Sequence, residues 1–357
     1  MATYASRWSS IDQLVQYENP LEYYNEFEQH PSVARGAPSL KVMSYYHVNT
    51  DISSLYNSNF WSFVCLCVRR PGKYRRILTE RLLSDPSSVW YSIIKPHLLN
   101  ITKETRLEYI TLNALVRSGA ELDAFFLYQA YYRDEKASLF RSCYLDTLRE
   151  ILCTRSYGQI LEIRQVYFEI YGMELSECVC SKVKGSLKTF FGNIINMPRC
   201  KDGSLGNVDI RLFIDMSIYR QNKDQFIEMF SRLSFMDIRK LCKVFQKRYE
   251  KPLDSIFTGL RQSKLRKCAK TMCNYSSDHI GYFAKRLKEY ILNDDEFGII
   301  RIIIGRCEID LHDILLVFKE KYSHLHMKSI SKVFSNHLDV YYHIVLPLCG
   351  LSYDDSI

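Results

Sequence analysis

Three consecutive carboxylates stand at positions 294 to 296, directly before an apolar run that begins at Ile299. Carboxylate oxygens are among the ligands that Ca²⁺ prefers in proteins. At the start of a helix, however, acidic residues cap the free N–H groups and complement the helix dipole. We therefore predict that Asp294, Asp295 and Glu296 cap a helix. A weak calcium site formed by the loop at Asn293 and Asp294 is the alternative.

Short-spaced cysteine and histidine pairs raise the question of a zinc site. The pairs are Cys65 with Cys67, Cys178 with Cys180, and His324 with His326. Residues two positions apart on a helix point to different faces, and no second pair stands at zinc spacing. We predict that the cysteines pack in the core as reduced thiols and that the histidines lie at the surface.

No group of residues indicates catalysis. The sequence has no Ser–His–Asp order, P-loop or dinucleotide fingerprint in a fitting context. We expect a binding protein rather than an enzyme, with no catalytic residue and no evident cofactor.

Basic residues outnumber acidic ones by 48 to 40, which gives a net charge of +8. Positive charge favours anionic partners, either nucleic acid or the inner leaflet of a membrane. The run RRPGKYRR at 69–76 is similar to a nucleic-acid patch. Because it lies on a helix of the repeated core described next, we interpret it as a solvated helix surface and do not favour nucleic acid as a partner.

The elements that position these residues repeat along the chain. Between 299 and 322, a run of isoleucines precedes Arg306. A second series of apolar residues follows this arginine at spacings of three to four residues. This spacing is typical of one face of an amphipathic helix. The pattern returns at Arg155, at Leu233 in place of an arginine, and least clearly at Arg69. The chain therefore contains an internal repeat whose core is a helix, an arginine and a second helix.

Four such units of about 75 residues are similar to the four-repeat core of an annexin. The resemblance rests on YFAKRLKEYI at 282–291, IIRIIIGRCEIDLHDI at 299–314, LPLCG at 346–350, ILCTRS at 151–156 and YFEIYGMEL at 167–175. It implies an all-α fold of four repeats with about five helices each, arranged in a slightly curved disc.

The arginines of the repeat are assigned a structural role. We make this assignment for Arg69, Arg155 and Arg306. A guanidinium carries five donors in a fixed fork. We therefore expect Arg155 and Arg306 to donate to carbonyl groups at a helix end.

The predicted boundaries follow the repeats. Residues 1–47 form an N-terminal extension that offers a site for a protein partner, and the repeats span 48–118, 121–197, 205–275 and 276–350. Apolar residues make up 47% of the chain, which argues against a disordered protein. We find no signal peptide and no apolar segment of the ~20 residues needed to span a bilayer. We therefore expect a cytoplasmic protein that binds membranes peripherally.

The calcium ligands of the family are missing from this sequence. The resemblance implies a Gly-x-Gly-Thr loop and an acidic residue about 40 residues later, which together complete an oxygen shell. In the fourth repeat the loop reads YILNDDEF and the distant position is Asn336; in the second repeat Lys182 replaces the acid. Calcium-dependent phospholipid binding is implied for the family, and we predict weak calcium dependence or none for this chain.

Basic residues stand near the missing ligands in two repeats. The candidate lipid-binding residues are Lys182, Lys184 and Lys188 in the second repeat and Arg261, Lys264 and Arg266 in the third. Each basic group near an anionic leaflet contributes about 1 kcal/mol, so several together could replace a calcium bridge. An ordinary solvated face is the alternative interpretation.

The function predicted from the sequence is peripheral binding to anionic phospholipid. A second hypothesis is a calcium-independent scaffold for protein contacts built on the annexin disc. An RNA-binding helical array is a third hypothesis, supported by net charge alone.

Overall fold

The computed structural model describes residues 55, 60–69, 72–98, 107–136, 141–203, 223–253, 255, 263–323, 325 and 327–351. In these ranges every regular element is a helix, and the predicted all-α fold class is confirmed. The predicted N-terminal extension, residues 1–47, lies outside them, as do Arg261, His324 and His326.

In chain order the helices of the described residues are α1 (Phe60–Val68), α2 (Gly72–Leu83), α3 (Val89–Leu98), α4 (Leu107–Leu115), α5 (Gly119–Lys136), α6 (Arg141–Leu152), α7 (Tyr157–Tyr171), α8 (Leu175–Lys182), α9 (Ser186–Asn196), α10 (Lys223–Arg232), α11 (Phe235–Tyr249), α12 (Ser263–Ser277), α13 (His279–Leu292), α14 (Glu296–Arg306), α15 (Leu311–Lys321), α16 (Met327–Val333), α17 (Leu338–Val340) and α18 (Leu346–Leu348). A π-helical turn, Tyr341–Val345, joins α17 to α18. The segment from α5 to α9 contains the five helices expected of a complete repeat.

By their contacts the residues divide into two compact units. One unit spans Asp123–Phe283, and the other combines the described residues of Met1–Leu122 with those of Ala284–Ile357. The unit boundaries fall inside α5 and α13. We call Asp123–Phe283 the central unit and the other the terminal unit.

Helix α4 lies at the centre of the terminal unit. It packs against α1, α3, α14 and α17, and residues 109–115 are all buried. Polar groups in such a position must find hydrogen-bond partners within the protein. Thr111 Oγ1 donates to the Leu107 carbonyl at 2.7 Å, and Asn113 Nδ2 donates to the Tyr109 carbonyl at 3.0 Å. The helix therefore satisfies these groups with its own backbone.

Helix α9 has the corresponding place in the central unit, where it packs against α6, α7, α8, α10 and α12. Its buried side chains recur three to four residues apart, as one helix face requires. They are Leu187, Phe190, Phe191, Ile194 and Ile195.

Side-chain caps set several helix boundaries. At the start of α7, Ser156 Oγ accepts from the Gln159 N–H while the Gln159 side chain accepts from the Ser156 N–H, which is a complete capping box. The helix ends at Gly172, whose φ of 66° is a left-handed conformation that glycine adopts without steric cost. Before α13, Asp278 Oδ1 accepts from the Gly281 N–H at 2.8 Å and caps the start of the helix.

Two arginines of the repeat form buried ion pairs. Arg155 Nε and Nη2 donate to the two carboxylate oxygens of Asp123 at 2.7 and 2.9 Å. Arg306 likewise donates from Nε and Nη2 to the two carboxylate oxygens of Asp310, and the distance from Nε to Oδ1 is 2.7 Å. All four side chains are at most 7% exposed. The guanidinium fork is thus occupied by a carboxylate, a partner that the sequence analysis did not predict.

The first repeat differs from this arrangement. Arg69, which we predicted to be structural, has an exposed side chain after the end of α1. The buried arginine of this region is Arg75, which donates to the Leu115 carbonyl at 2.9 Å and pairs with Glu308 at 3.1 Å. Our interpretation of 69–76 as a solvated helix surface is therefore wrong for Arg75, because these two contacts hold its side chain inside the terminal unit.

The third repeat receives an arginine from the connector that precedes it. Arg199 Nη1 donates to the carbonyl of Leu233, the position where the repeat lacks its own arginine, at 3.2 Å. Its Nη2 donates to the Arg155 carbonyl at 3.3 Å, and its guanidinium lies 4.4 Å from the centre of the Phe235 ring. The Cys200 N–H donates to the Arg232 carbonyl at 2.6 Å. The end of α10 is therefore capped from outside its own repeat.

We predict that Asp123→Ala lowers the free energy of unfolding by about 3–5 kcal/mol, because it leaves the Arg155 charge buried without its partner. Denaturant unfolding followed by circular dichroism measures this loss. Glu80→Ala is the matched control, since Glu80 pairs with Arg76 at a more exposed position and its loss should cost less than about 1 kcal/mol. Equal effects of the two substitutions would contradict the prediction.

We predict that Arg199→Ala lowers the free energy of unfolding by about 1–3 kcal/mol, because two charge-assisted hydrogen bonds to carbonyl groups are lost. Arg199→Lys should retain part of the stability, since an ammonium reaches one carbonyl but lacks the fork. Thermal unfolding compares both with Lys201→Ala, which removes an exposed side chain of the same connector. If Arg199→Ala and Lys201→Ala have the same midpoint of thermal unfolding, the contact of Arg199 with the end of α10 does not stabilise the fold.

Candidate functional site

The basic residues predicted in the second repeat lie at the turn between α8 and α9. Helix α8 ends at Lys182 and α9 begins at Ser186. Gly185 joins them with a φ of 59°, a conformation that residues with a Cβ rarely adopt. The side chains of Lys184 and Lys188 on either side of this glycine are exposed.

Lys182 is placed differently from its two neighbours. Its side chain is half-buried, and its Nζ lies 4.8 Å from the centre of the Tyr131 ring. An ammonium over a ring face is attracted by the ring's negative charge distribution. Lys182 therefore packs against α5, and Lys184 and Lys188 are the exposed charges of the turn.

In the third repeat the described candidates lie in the first turn of α12 and just after it. Lys264 is exposed and Arg266 is half-buried. Arg261, the remaining candidate, lies outside the described residues. The two repeats thus each present at least one exposed lysine at the start of the last helix of the repeat.

The acidic loop of the fourth repeat uses its carboxylates within the protein. Asp295 Oδ1 accepts from the Gly298 N–H at 2.9 Å, so the predicted cap of α14 is present. Asn293 Nδ2 donates to the Glu289 carbonyl at 2.8 Å. Asp294 is exposed and has a φ of 50°, which places it in the left-handed region. Of the three predicted capping residues, Asp295 is the one that accepts this hydrogen bond.

Glu296 makes a contact that sequence reasoning missed. Its Oε1 lies 2.9 Å from Nδ1 of His337, and the other ring nitrogen of His337 is 3.9 Å from a Glu108 oxygen. This joins the start of α14 to the residue before α17, 41 positions later in the chain. The distance in sequence is too long for a helical spacing rule, and no local signal indicates the pair.

These residues do not fit a calcium site. The carboxylates of Asp295 and Glu296 are bound to Gly298 and His337, and the distant position carries the neutral amide of Asn336. Ca²⁺ requires six to eight oxygens with carboxylates among them. Within the described ranges, no group of three or more His, Cys, Asp and Glu side chains could hold a metal ion.

One cysteine of each pair lies in the core, as predicted, and the other lies at its boundary. Cys67 and Cys178 are buried, while Cys65 and Cys180 are half-buried. Burial raises the pKa of Cys67 to about 12 and also raises the pKa of Cys180. A thiol with a raised pKa remains protonated at neutral pH, whereas zinc binds the thiolate. The environments of Cys67 and Cys180 therefore favour packing over metal binding.

No helix in the part of the chain that the structure describes is long and apolar enough to cross a membrane.

Known proteins show the same sequence pattern and fold. The annexin family model matches residues 145–193, which contain most of α6 together with α7, α8 and most of α9. Mouse annexin A13 is 29% identical over 183 residues, which cover 49% of this chain and 58% of that protein. Mouse annexin A1 is 22% identical over 343 residues, which cover 91% of this chain and 94% of that protein.

Two solved structures show how far the fold agrees. Annexin III superposes with a TM-score of 0.70 at 19% identity, covering 88% of this chain and 97% of that one. Chicken annexin V superposes with a TM-score of 0.68 at 18% identity, covering 87% and 98%. The chain therefore resembles annexins in sequence across the second repeat and shares their fold along most of its length.

Proposed function

We propose that this protein binds anionic phospholipid surfaces peripherally, without catalysis and with little dependence on calcium. The observation that carries the proposal is the exposed pair Lys184 and Lys188 at the turn between α8 and α9. Phospholipid binding is the known function of the annexin family, and the turn lies within the part of the chain that matches the family model. Anionic lipids concentrate in the cytoplasmic leaflet, which is the surface we propose.

Electrostatic attraction supports this mode of binding. Each lysine near an anionic leaflet contributes about 1 kcal/mol, and Lys264 supplies a further exposed charge in the third repeat. Lys182 is not assigned a direct lipid contact, because its ammonium lies over Tyr131. The attraction is screened over about 8 Å at physiological ionic strength, so binding should weaken as salt is added.

The charge of the loops also argues against a calcium bridge. In the second repeat a lysine stands where the family's acidic ligand is expected, and a positive charge repels a divalent cation. In the fourth repeat the Glu296–His337 contact joins the two segments that a bound ion would otherwise bridge. The proposed surface is therefore preformed and does not require an ion to assemble it.

We predict that Lys184→Glu with Lys188→Glu weakens binding to phosphatidylserine-containing vesicles at least about 30-fold, since two contributions of about 1 kcal/mol are lost and replaced by repulsion. Vesicle co-sedimentation in chelator measures the effect. The matched control is Lys319→Glu with Lys321→Glu, which changes the net charge equally at exposed positions of α15. Equal weakening by both pairs would assign the binding to net charge. A wild-type protein that stays in solution with both anionic and neutral vesicles would instead favour the protein scaffold.

We predict that wild-type protein shows no micromolar calcium binding in titration calorimetry and binds vesicles equally with calcium and with chelator. The physical reason is the engagement of Asp295 and Glu296 within the fold. Asp294→Asn is the matched variant, because Asp294 is the exposed carboxylate of that loop. Micromolar binding that disappears in Asp294→Asn would contradict the prediction and locate a calcium site in the fourth repeat.

A further inference from the structure

A cysteine and a histidine meet on one face of α1, and the proposed function uses neither of them. The Sγ atom of Cys65 lies 3.8 Å from Nδ1 of His343. Cys65 is on α1 and His343 is in the π-helical turn, so 278 positions separate the two residues in the chain. Both belong to the terminal unit. The pair is a product of the fold, since no spacing rule indicates it in the sequence.

The ring of His343 is positioned by Trp61. The two rings are stacked, with centres 4.5 Å apart and an angle of 23° between their planes. Trp61 and Cys65 are four residues apart on α1, so their side chains lie on the same face of the helix. His343 therefore lies over this face, with its ring on Trp61 and its Nδ1 beside Cys65.

The backbone around His343 is unusual. This residue is at the centre of the π-helical turn Tyr341–Val345, where the Leu346 N–H donates to the Tyr341 carbonyl, five residues earlier. Turns of this kind are rare and are frequent at functional sites. The neighbouring Ile344 is buried, whereas the His343 side chain is half-buried. The turn thus anchors its apolar side chain in the core and holds the imidazole at the boundary with solvent.

An imidazole nitrogen beside a thiol can take the thiol proton. When Nδ1 of His343 carries no hydrogen, it accepts the S–H hydrogen of Cys65, and transfer of that proton leaves a thiolate. The thiolate is the nucleophile in cysteine chemistry. Cys65 is half-buried, so part of its side chain contacts solvent. The pair therefore combines a nucleophile, an adjacent base and access for a small molecule.

Two other cysteines of the terminal unit lie in less reactive environments. Cys67 is on the same helix as Cys65 but is 0% exposed, and burial raises its pKa to about 12. Burial also raises the pKa of Cys349 to about 12. A raised pKa lowers the fraction of thiolate at neutral pH. We therefore expect Cys65 to react first of the three.

We propose that Cys65 is a site of reversible thiol modification, at which it forms a mixed disulfide with a small disulfide and His343 acts as the base. The Cys65 thiol gives its proton to His343, and its sulfur attacks one sulfur of the small disulfide. A new S–S bond forms at Cys65 as the S–S bond of the small molecule breaks. The departing thiolate takes the proton from His343. One small thiol is released, so Cys65 is oxidised and the small disulfide is reduced.

The test incubates the full chain with glutathione disulfide and locates the adducts over time by fragmentation mass spectrometry. Cys65 should be modified about tenfold or more faster than Cys67, and dithiothreitol should remove the adduct. Cys65→Ser should abolish the fast adduct, whereas Cys67→Ser should retain it. Modification of Cys67 as fast as that of Cys65, or no adduct on Cys65, would overturn the proposal.

Substitution of the histidine separates the action of a base from simple exposure of the thiol. His343→Gln should slow the modification of Cys65 about tenfold or more, because an amide side chain cannot take the proton. The matched control is His312→Gln, which removes an exposed histidine of α15 in the same unit and should leave the rate unchanged. Equal rates in the wild type and in His343→Gln would show that His343 is not the base.

A second variant tests whether a change in the fold explains the result. His343→Phe keeps an aromatic ring on Trp61 and removes Nδ1, so it should slow the modification as His343→Gln does. Circular dichroism and thermal unfolding of each variant confirm that the helices are retained. If folded His343→Phe is modified as rapidly as the wild type, Cys65 reacts only because it is exposed, and the proposal is wrong.

Discussion

A buried contact between an arginine and a carboxylate governs how the repeated helices meet. The contact joins Arg155 to Asp123 in the central unit and Arg306 to Asp310 in the terminal unit. A guanidinium at these positions has lost its contact with water, and removing a charge from water is expensive unless a partner satisfies its donors. The two carboxylate oxygens of Asp123 satisfy Nε and Nη2 together, at 2.7 and 2.9 Å. The pair therefore constrains where α5 lies relative to the end of α6.

The same requirement is met in a different way where the repeat lacks its own arginine. Leu233 leaves the end of α10 without a local cation, and the connector supplies Arg199 to that carbonyl. Arg75 likewise lies in the terminal unit between the Leu115 carbonyl and Glu308. In each case the arginine joins segments that are distant in sequence, since 40 residues separate Arg75 from Leu115 and 34 separate Arg199 from Leu233. The donors of one side chain thus hold together segments that the chain does not place side by side.

The loops that resemble annexin calcium loops use their charged side chains in a different way. Carboxylates that could bind an ion are used for a cap at Gly298 and for a contact with His337. In the second repeat Lys182 stands where a negative ligand is expected, and the exposed Lys184 and Lys188 follow it. Under the proposed function, attraction to an anionic leaflet would be direct, screened by salt, and independent of an ion that must be dehydrated first. The proposed function rests on this exchange of a bridged contact for an electrostatic one.

The sequence by itself determined the all-α class, the repeated helix pair, the cap before α14, and the basic character of the turn at 183–188. These features depend on residues within a few positions of one another, where helical periodicity and capping rules apply. Tertiary structure decided which carboxylate pairs with Arg155, that Arg199 caps the end of α10, that Arg75 is buried, and that Lys182 lies over Tyr131. It also paired Glu296 with His337. These contacts join residues far apart in sequence. Each polar side chain has many candidate partners in the sequence, and the partner is determined by which groups are buried together once the helices have packed.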